Sequence, residues 1–199
     1  MKIAICVPSG DMIHADFARC LVGLILHSAR SHELFYINGK SSIVATARNN
    51  CVKQALAFDV DYILFLDADM VFPPNILDRL LESGKDIIGC AYRRRSPPYD
   101  IMALSVQGPG SQKVEGIAEM LALPTGVLLI AAKVFESIPK PWFKFEIDAE
   151  HEKITGEDVL FCREAVLAGY KIWMDVEASY HVGHLTQSTL VISKEDSDE

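Results

Sequence analysis

The segment LFLDADMVFPP, residues 64–74, places two carboxylates at the end of an apolar run. An ionised carboxylate is costly to bury, so Asp67 and Asp69 mark the point at which a buried strand leaves the core. Because only Ala68 separates them, their side chains point to the same side of an extended backbone. Like charges at that spacing repel each other unless a cation lies between them. The segment therefore predicts a buried strand that ends in either an ordinary polar turn or a cation site.

The composition of the chain limits its partners. The 199 residues are 50% hydrophobic and carry a formal net charge of -8 at pH 7, which suits one large core of two or three layers. Nucleic acid and anionic membranes both require a basic face, so neither is expected as the main partner. An acidic chain that handles phosphate must do so through local arginines, helix N-termini or a metal ion.

Cysteine usage and hydropathy predict a cytoplasmic protein with no transmembrane segment. The five cysteines are scattered and lack C-x-x-C spacing, which is typical of free thiols in a reducing compartment. Lys2 leads straight into a strand-like segment, so no signal peptide is expected. The longest apolar run, residues 126–132, is too short to cross a bilayer.

Strand-like and helix-like segments alternate along the first half, a pattern that predicts a layered α/β sheet. Ligands in such sheets bind beyond the carboxyl ends of the strands, where Pro8, Asp67 and Asp69 fall. The predicted strands are 2–7, 34–37, 61–66 and 87–92, and the predicted helices are 16–31, 41–58 (capped by Ser41 or Ser42) and 73–84.

The second half is less regular and contains short strands with fewer helices. Thr155 followed by Asp158 matches a capping box, which would start a helix running to about residue 167. The other expectations are strands at 101–106, 119–123, 126–131, 171–176 and 178–181 and a short helix at 134–138.

A Pro-containing turn after the first strand and five further segments, in order along nearly the whole chain, resemble glycosyltransferases of the A-type fold, closest to the family 2-like group. The five segments are ATARNN (45–50), LFLDADMVFPP (64–74), PTGVLLI (124–130), TGEDVLFCREAVLAGYKIWMD (155–175) and HVGH (181–184). D-x-D alone is common, but D-x-D at a strand end, then G-E-D at a helix start and a late G-H, is more specific.

The resemblance implies a layered α/β sandwich with a mostly parallel central sheet, formed by a single domain over residues 1–193. Residues 1–95 would be the nucleotide-binding half and residues 96–193 the acceptor half. Residues 194–199 are nearly all charged and are expected to form a disordered acidic tail.

The implied reaction moves a sugar from a nucleotide-diphosphate sugar, UDP- or GDP-linked, to a hydroxyl acceptor. A divalent cation, Mn²⁺ or Mg²⁺, would neutralise the departing diphosphate. The resemblance makes Asp69 its direct ligand, and Asp67 a contact to the donor ribose or sugar and a second candidate ligand. His184 would complete the site, with His181 as a competitor, and imidazole favours Mn²⁺.

The G-E-D motif supplies the candidate catalytic residues. By resemblance, Glu157 and Asp158 contact the acceptor, and Asp158 is the general base that deprotonates its hydroxyl in inverting enzymes. A capping box explains Asp158 equally well. A retaining enzyme would lack such a base, so the stereochemistry stays open.

The candidate donor-binding residues have ordinary structural explanations as well. The resemblance places Pro8 and Ser9 against the nucleobase, with Asp11 able to accept a hydrogen bond from it, and an ordinary turn explains all three. Ala68 is included as part of the D-x-D. Arg48 would reach the nucleotide, although helical arginines are usually solvated.

Two further groups carry open alternatives. The basic cluster 93–95 binds diphosphate or a charged acceptor, or is a solvated loop. Trp142 and Phe143 stack on a sugar ring or, the favoured interpretation, form a hydrophobic cluster.

The chain departs from the family in two respects, and other functions stay open. It lacks the Q-x-x-R-W motif and membrane helices of processive synthases, and residues 8–11 read PSGD where Pro-x-Tyr-Asn is more usual. The alternatives are a sugar-nucleotide nucleotidyltransferase or a catalytically silent binding module of the same fold. A homo-oligomer is possible in each case.

Overall fold

The computed structural model describes residues 1–106, 115–150 and 152–186, which form one mixed α/β domain. The helices are α1 (Ala15–Ser28), α2 (Val44–Leu56), α3 (Ile76–Glu82), α4 (Ala132–Ser137), α5 (Glu157–Leu167) and α6 (Val176–Ser179). The strands are β1 (Lys2–Ser9), β2 (Glu33–Lys40), β3 (Tyr62–Leu66), β4 (Met70–Val71), β5 (Ile87–Gly89), β6 (Leu104–Ser105), β7 (Ile117–Ala122), β8 (Val127–Ala131), β9 (Glu146–Asp148), β10 (Lys153–Thr155), β11 (Ile172–Asp175) and β12 (Gly183–His184).

An eight-stranded sheet, in the order β2-β1-β3-β8-β5-β11-β7-β6, forms the centre of the domain. β1 pairs in parallel with β2 and β3, and β11 pairs in parallel with β5. β8 lies antiparallel between β3 and β5, and β7 lies antiparallel between β11 and β6. Six strands of this sheet therefore share one direction, and β7 and β8 run against them.

Helices cover both faces of the sheet and create two hydrophobic layers. β3 shows the division: Ile63 and Phe65 pack on one side, whereas Leu64 and Leu66 pack on the other, as alternation along a strand requires. The first layer includes buried residues of α2, α4 and α5, and the second includes those of α1 and α3. A strand buried on both faces must be apolar throughout, which explains the continuous run at residues 62–66.

A two-stranded pair beyond the sheet edge brings a distant part of the chain to the end of β3. β4 follows the D-x-D segment and pairs antiparallel with β12, so that Gly183 lies opposite Val71 and His184 opposite Met70. A Cβ at position 183 would approach Val71 Cγ2 to 2.7 Å. Glycine in the HVGH segment thus permits the close approach that places His184.

Three predicted helix starts differ from the structure. α3 begins at Ile76 and not at the predicted residue 73, and α2 and α5 also begin later than predicted. α2 begins after Ile43, and Ser41 Oγ instead accepts a hydrogen bond from the Ile43 backbone N–H in a local turn. The N-cap of α5 is Gly156 with no side-chain cap, so Thr155 and Asp158 do not form the predicted capping box.

One predicted strand, residues 178–181, is also wrong. Asp175 Oδ1 accepts a hydrogen bond from the Ala178 backbone N–H and thereby starts the helical turn α6. Asp175 also forms a two-point ion pair with Arg79 of α3, at 2.7 and 2.8 Å. That contact ties the end of β11 to the helix layer.

The cysteines and the hydropathy of the helices agree with the predictions of free thiols and of no transmembrane segment, for the described residues. All five cysteines are free and buried. Within the described ranges, no helix has both the length and the apolar character needed to cross a bilayer. The predicted tail at 194–199 lies outside the described residues.

Candidate functional site

A cavity of about 580 Å³ opens beyond the carboxyl ends of β1 and β3. Its walls come from the end of β1, the start of α2, the segment after β3, the first turn of α5 and β12. The sequence-predicted residues that line it are Pro8, Ser9, Arg48, Asp67, Ala68, Asp69, Arg95, Glu157, Asp158 and His184.

Six predicted candidates do not line this cavity: Asp11, Arg93, Arg94, Trp142, Phe143 and His181. Asp11 is exposed, forms an ion pair with Lys40 and is not among the cavity-lining residues. Trp142 and Phe143 are 6% and 1% exposed and pack within the core, where the Phe143 ring stacks on Phe161 at 4.9 Å. The interpretation of these aromatic residues as a hydrophobic cluster is confirmed.

The first carboxylate of the D-x-D is fully engaged by Arg48. Arg48 Nη1 donates to Asp67 Oδ1 at 2.9 Å, and Nη2 donates to Oδ2 at 3.3 Å. A carboxylate with both oxygens bound by a guanidinium has little capacity left for a metal ion. This geometry disfavours Asp67 as a metal ligand.

Arg48 also reaches the second predicted motif. Its Nε donates to Glu157 Oε1 at 3.1 Å, so one guanidinium joins the D-x-D to the G-E-D. Arg48 is 3% exposed, which overturns the alternative of a solvated helical arginine. Burial alone would lower the pKa of Arg48, but the charges and hydrogen bonds of Asp67 and Glu157 raise it above its usual value. The bridge is therefore permanently charged.

The second carboxylate has a different environment. Asp69 Oδ2 lies 3.4 Å from His184 Nε2, although the two residues are 115 positions apart. The same oxygen accepts a hydrogen bond from Arg95 Nη1 at 2.7 Å. Burial alone would raise the pKa of Asp69, but His184 and Arg95 together lower it.

His184 is oriented by its second ring nitrogen. Nδ1 lies 3.0 Å from the backbone carbonyl of Arg93, which accepts a hydrogen bond when Nδ1 carries the proton. Nε2 then faces Asp69. Burial lowers the pKa of His184, but the bonds to Asp69 and to the Arg93 carbonyl raise it overall. The competing residue His181 is exposed and does not line the cavity.

The donor set of Asp69 and His184 fits a divalent cation that takes few protein ligands. One carboxylate and one imidazole, the latter fixed by a backbone carbonyl, are suitable for Mn²⁺. Among residues 1–106, 115–150 and 152–186, no group of three or more His, Cys, Asp or Glu side chains is arranged to hold a metal ion. A cation here would need further ligands from substrate phosphates and water, which is usual for Mg²⁺.

Asp158 faces the cavity from the first turn of α5. Its Oδ1 accepts a hydrogen bond from the Val159 backbone N–H at 2.8 Å. Burial and the neighbouring charge of Glu157 raise the pKa of Asp158, against smaller opposite effects of the Val159 N–H and Arg48. A carboxylate with a raised pKa that borders a cavity can act as a general base.

Two buried residues of the cavity wall, Tyr92 and Thr125, are not among the sequence-predicted site residues. Tyr92 is 6% exposed; its hydroxyl accepts a hydrogen bond from the Gly126 backbone N–H, and its ring packs edge-on against His184 at 5.1 Å. Thr125 is buried, and its Oγ1 has no hydrogen-bond partner among the described residues. The PTG segment pointed to Thr125 only as part of a motif.

Comparison with known proteins extends the description of the fold. No protein-family model and no curated protein matches the chain. Among solved structures, the chain is similar to the crystal structure of A197 from STIV, with a TM-score of 0.62 over 98% of both chains and 16% sequence identity. At that identity the similarity shows the fold alone.

Proposed function

We propose that the chain is a metal-dependent glycosyltransferase of the A-type fold that uses a UDP- or GDP-linked sugar and a hydroxyl acceptor. The observation that carries the proposal is the convergence of separate motifs on one cavity. Asp69 and His184 approach to 3.4 Å, and Asp158 lines the same cavity from α5. Nothing in local sequence requires these groups to meet, whereas a shared reaction centre does.

Each residue has a role in this proposal. Asp69 and His184 would hold Mn²⁺ or Mg²⁺, which would neutralise the charge that develops on the departing diphosphate. Pro8 and Ser9 lie at the end of β1, where they would contact the donor nucleobase. Asp158 would accept the proton of the acceptor hydroxyl.

Arg48 has a positioning role in the proposed site. It fixes Asp67 toward the donor and holds Glu157 beside Asp158. The five free thiols additionally favour a reducing compartment such as the cytoplasm.

Thermal shift measurements with UDP, GDP, CDP and TDP, each with Mn²⁺ or with a chelator, test the donor site. One nucleotide should raise Tm by about 5–10 °C at a hundredfold excess over its Kd, and only with Mn²⁺. Asp69→Asn should abolish the shift. Asp59→Asn is a matched control because the Asp59 side chain is fully exposed and, within the part of the chain that the structure describes, forms an ion pair only with Lys2.

Donor hydrolysis then separates the enzyme from its alternatives. Release of the sugar from the matching nucleotide sugar supports the transferase. Binding without release would indicate the silent module. No stabilisation by any of the four nucleotides would contradict the proposal. The nucleotidyltransferase has less support because residues 8–14 contain no lysine or arginine.

A further inference from the structure

Asp69, the main candidate metal ligand, already forms an ion pair with a positively charged side chain, that of Arg95. Arg95 Nη1 lies 2.7 Å from Asp69 Oδ2, closer than His184 Nε2 at 3.4 Å. The Arg95 side chain is 57% exposed, whereas that of Asp69 is 20% exposed. The Arg95 guanidinium therefore extends from the solvent-exposed surface to a carboxylate that is more buried.

The loop that carries Arg95 is fixed by contacts that do not hold its side chain. The Arg94 backbone N–H donates to the Asp100 carbonyl at 2.9 Å, and Arg93 Nη1 donates to the Tyr99 carbonyl at 3.0 Å. Among the described residues, Asp69 is the only partner of the Arg95 guanidinium. Arg95 can consequently change partner without disturbing the loop.

We propose that Arg95 holds Asp69 while no divalent cation is bound, and then pairs with the diphosphate of the donor. This inference rests on the proposed function. A hard cation needs the lone pairs of Asp69 Oδ2, to which Arg95 donates, so the two compete. A diphosphate offers two oxygen acceptors to the planar fork of donors on the freed guanidinium. Diphosphate binding would thus remove the competitor of the metal, which couples the two affinities.

The test compares Arg95→Gln with Arg94→Gln. Arg94 is the exposed neighbour on the same loop, and its side chain has no hydrogen bond or ion pair with the described residues. Mn²⁺ affinity is measured from the electron paramagnetic resonance signal of free Mn²⁺, with no nucleotide present and at one pH above the usual pKa of histidine. Nucleoside diphosphate affinity is measured by calorimetry in saturating Mn²⁺.

Arg95→Gln should bind Mn²⁺ alone about two- to fivefold more tightly, because an exposed competing ion pair is lost. It should bind the nucleoside diphosphate about tenfold more weakly, because a charge-assisted contact is lost. Arg94→Gln should change neither affinity.

Mn²⁺ binding no tighter in Arg95→Gln than in the parent overturns the inference, and so does an unchanged diphosphate affinity. These comparisons leave the proposed function intact. Failure of the parent to bind Mn²⁺ in the absence of nucleotide overturns the inference, whereas failure to bind any of the four nucleotides in the presence of Mn²⁺ contradicts the proposed function.

Discussion

At the scale of single residues, Arg48 is the structural connection between the two acidic motifs. It is 3% exposed and donates to both Asp67 and Glu157. Arg48→Met should lower the free energy of unfolding by about 3–5 kcal/mol, because it leaves buried carboxylates without their cation. Arg48→Lys should lose less, since an ammonium retains the charge but not the fork of donors. Urea unfolding measures both.

Arg19→Met provides the control for this prediction. Arg19 lies on α1 with its side chain 74% exposed and pairs with Asp16 at 3.7 Å, so its loss should change stability by less than about 0.5 kcal/mol. If Arg48→Met were no less stable than Arg19→Met, the bridge would not be a stabilising element.

Substitution of Asp158 should stabilise the protein, in contrast to substitution of Arg48. The reason is that the ionised form of Asp158 is disfavoured in the folded protein. Burial and Glu157 raise its pKa above the unfolded value. Ionised Asp158 therefore destabilises the fold above the folded pKa, and this effect fades as the pH falls, ending below the usual carboxyl pKa of about 3.9. Asp158→Asn should raise Tm at neutral pH and match the parent in acid.

If the proposed function is right, the same substitution should also reduce sugar transfer at least about a hundredfold, as expected on loss of a general base. Thermal unfolding from neutral to acid pH, together with transfer assays, measures both effects. The control Asp59→Asn should leave Tm close to that of the parent, because the Asp59 side chain is fully exposed. A lower Tm for Asp158→Asn at neutral pH would show that ionised Asp158 stabilises the fold.

At the scale of elements, the contact of α2 with β2 determines where Arg48 lies. A Cβ at Gly39 in β2 would lie 2.5 Å from both the Ala47 carbonyl oxygen and Cys51 Sγ of α2. Gly39→Ala must therefore push α2 away from the sheet. We expect a loss of about 1–3 kcal/mol, measured by urea unfolding, and weaker nucleotide binding because Arg48 moves with its helix.

Gly23→Ala separates this steric effect from the general effect of replacing glycine. Gly23 lies within α1, and a Cβ there would meet Pro74 Cγ at an ordinary 3.5 Å. Alanine should stabilise that helix by up to about 1 kcal/mol. Equal stability of the two variants would contradict close packing of β2 on α2.

At the scale of the whole molecule, the first half of the fold is readable from sequence because each element is marked locally. Residues 62–66 form a continuous apolar run because both faces of β3 are buried, and the run ends at Asp67. The position of β8, which lies antiparallel between β3 and β5, has no such local mark in the sequence. A buried apolar run has the same composition in either direction, so its orientation cannot be derived from the pattern.

The candidate site also has some features that are readable from the sequence and others that are not. The residue types of the D-x-D and G-E-D motifs are visible in sequence, but their partners depend on tertiary structure. Helical spacing could not distinguish a solvated Arg48 from one buried between Asp67 and Glu157. The contact of Arg95 with Asp69 likewise joins two loops that the sequence does not relate.

The thiols report on the integrity of both hydrophobic layers together. Burial raises the pKa of Cys90 and of Cys162 to about 12, and a buried, protonated thiol reacts slowly. Ellman's reagent should therefore detect no reactive thiol in the folded protein and five in guanidinium. A Ser31→Cys variant, exposed after α1, should add one reactive thiol in the folded state.

Cys51, whose pKa is lowered mainly by a hydrogen bond with Cys6, should react first when the fold opens locally. The first hydrophobic layer contains Cys6, Cys51 and Cys162, and the second contains Cys20 and Cys90. Rapid reaction of any one of these thiols in the folded protein would show that its layer is open to solvent.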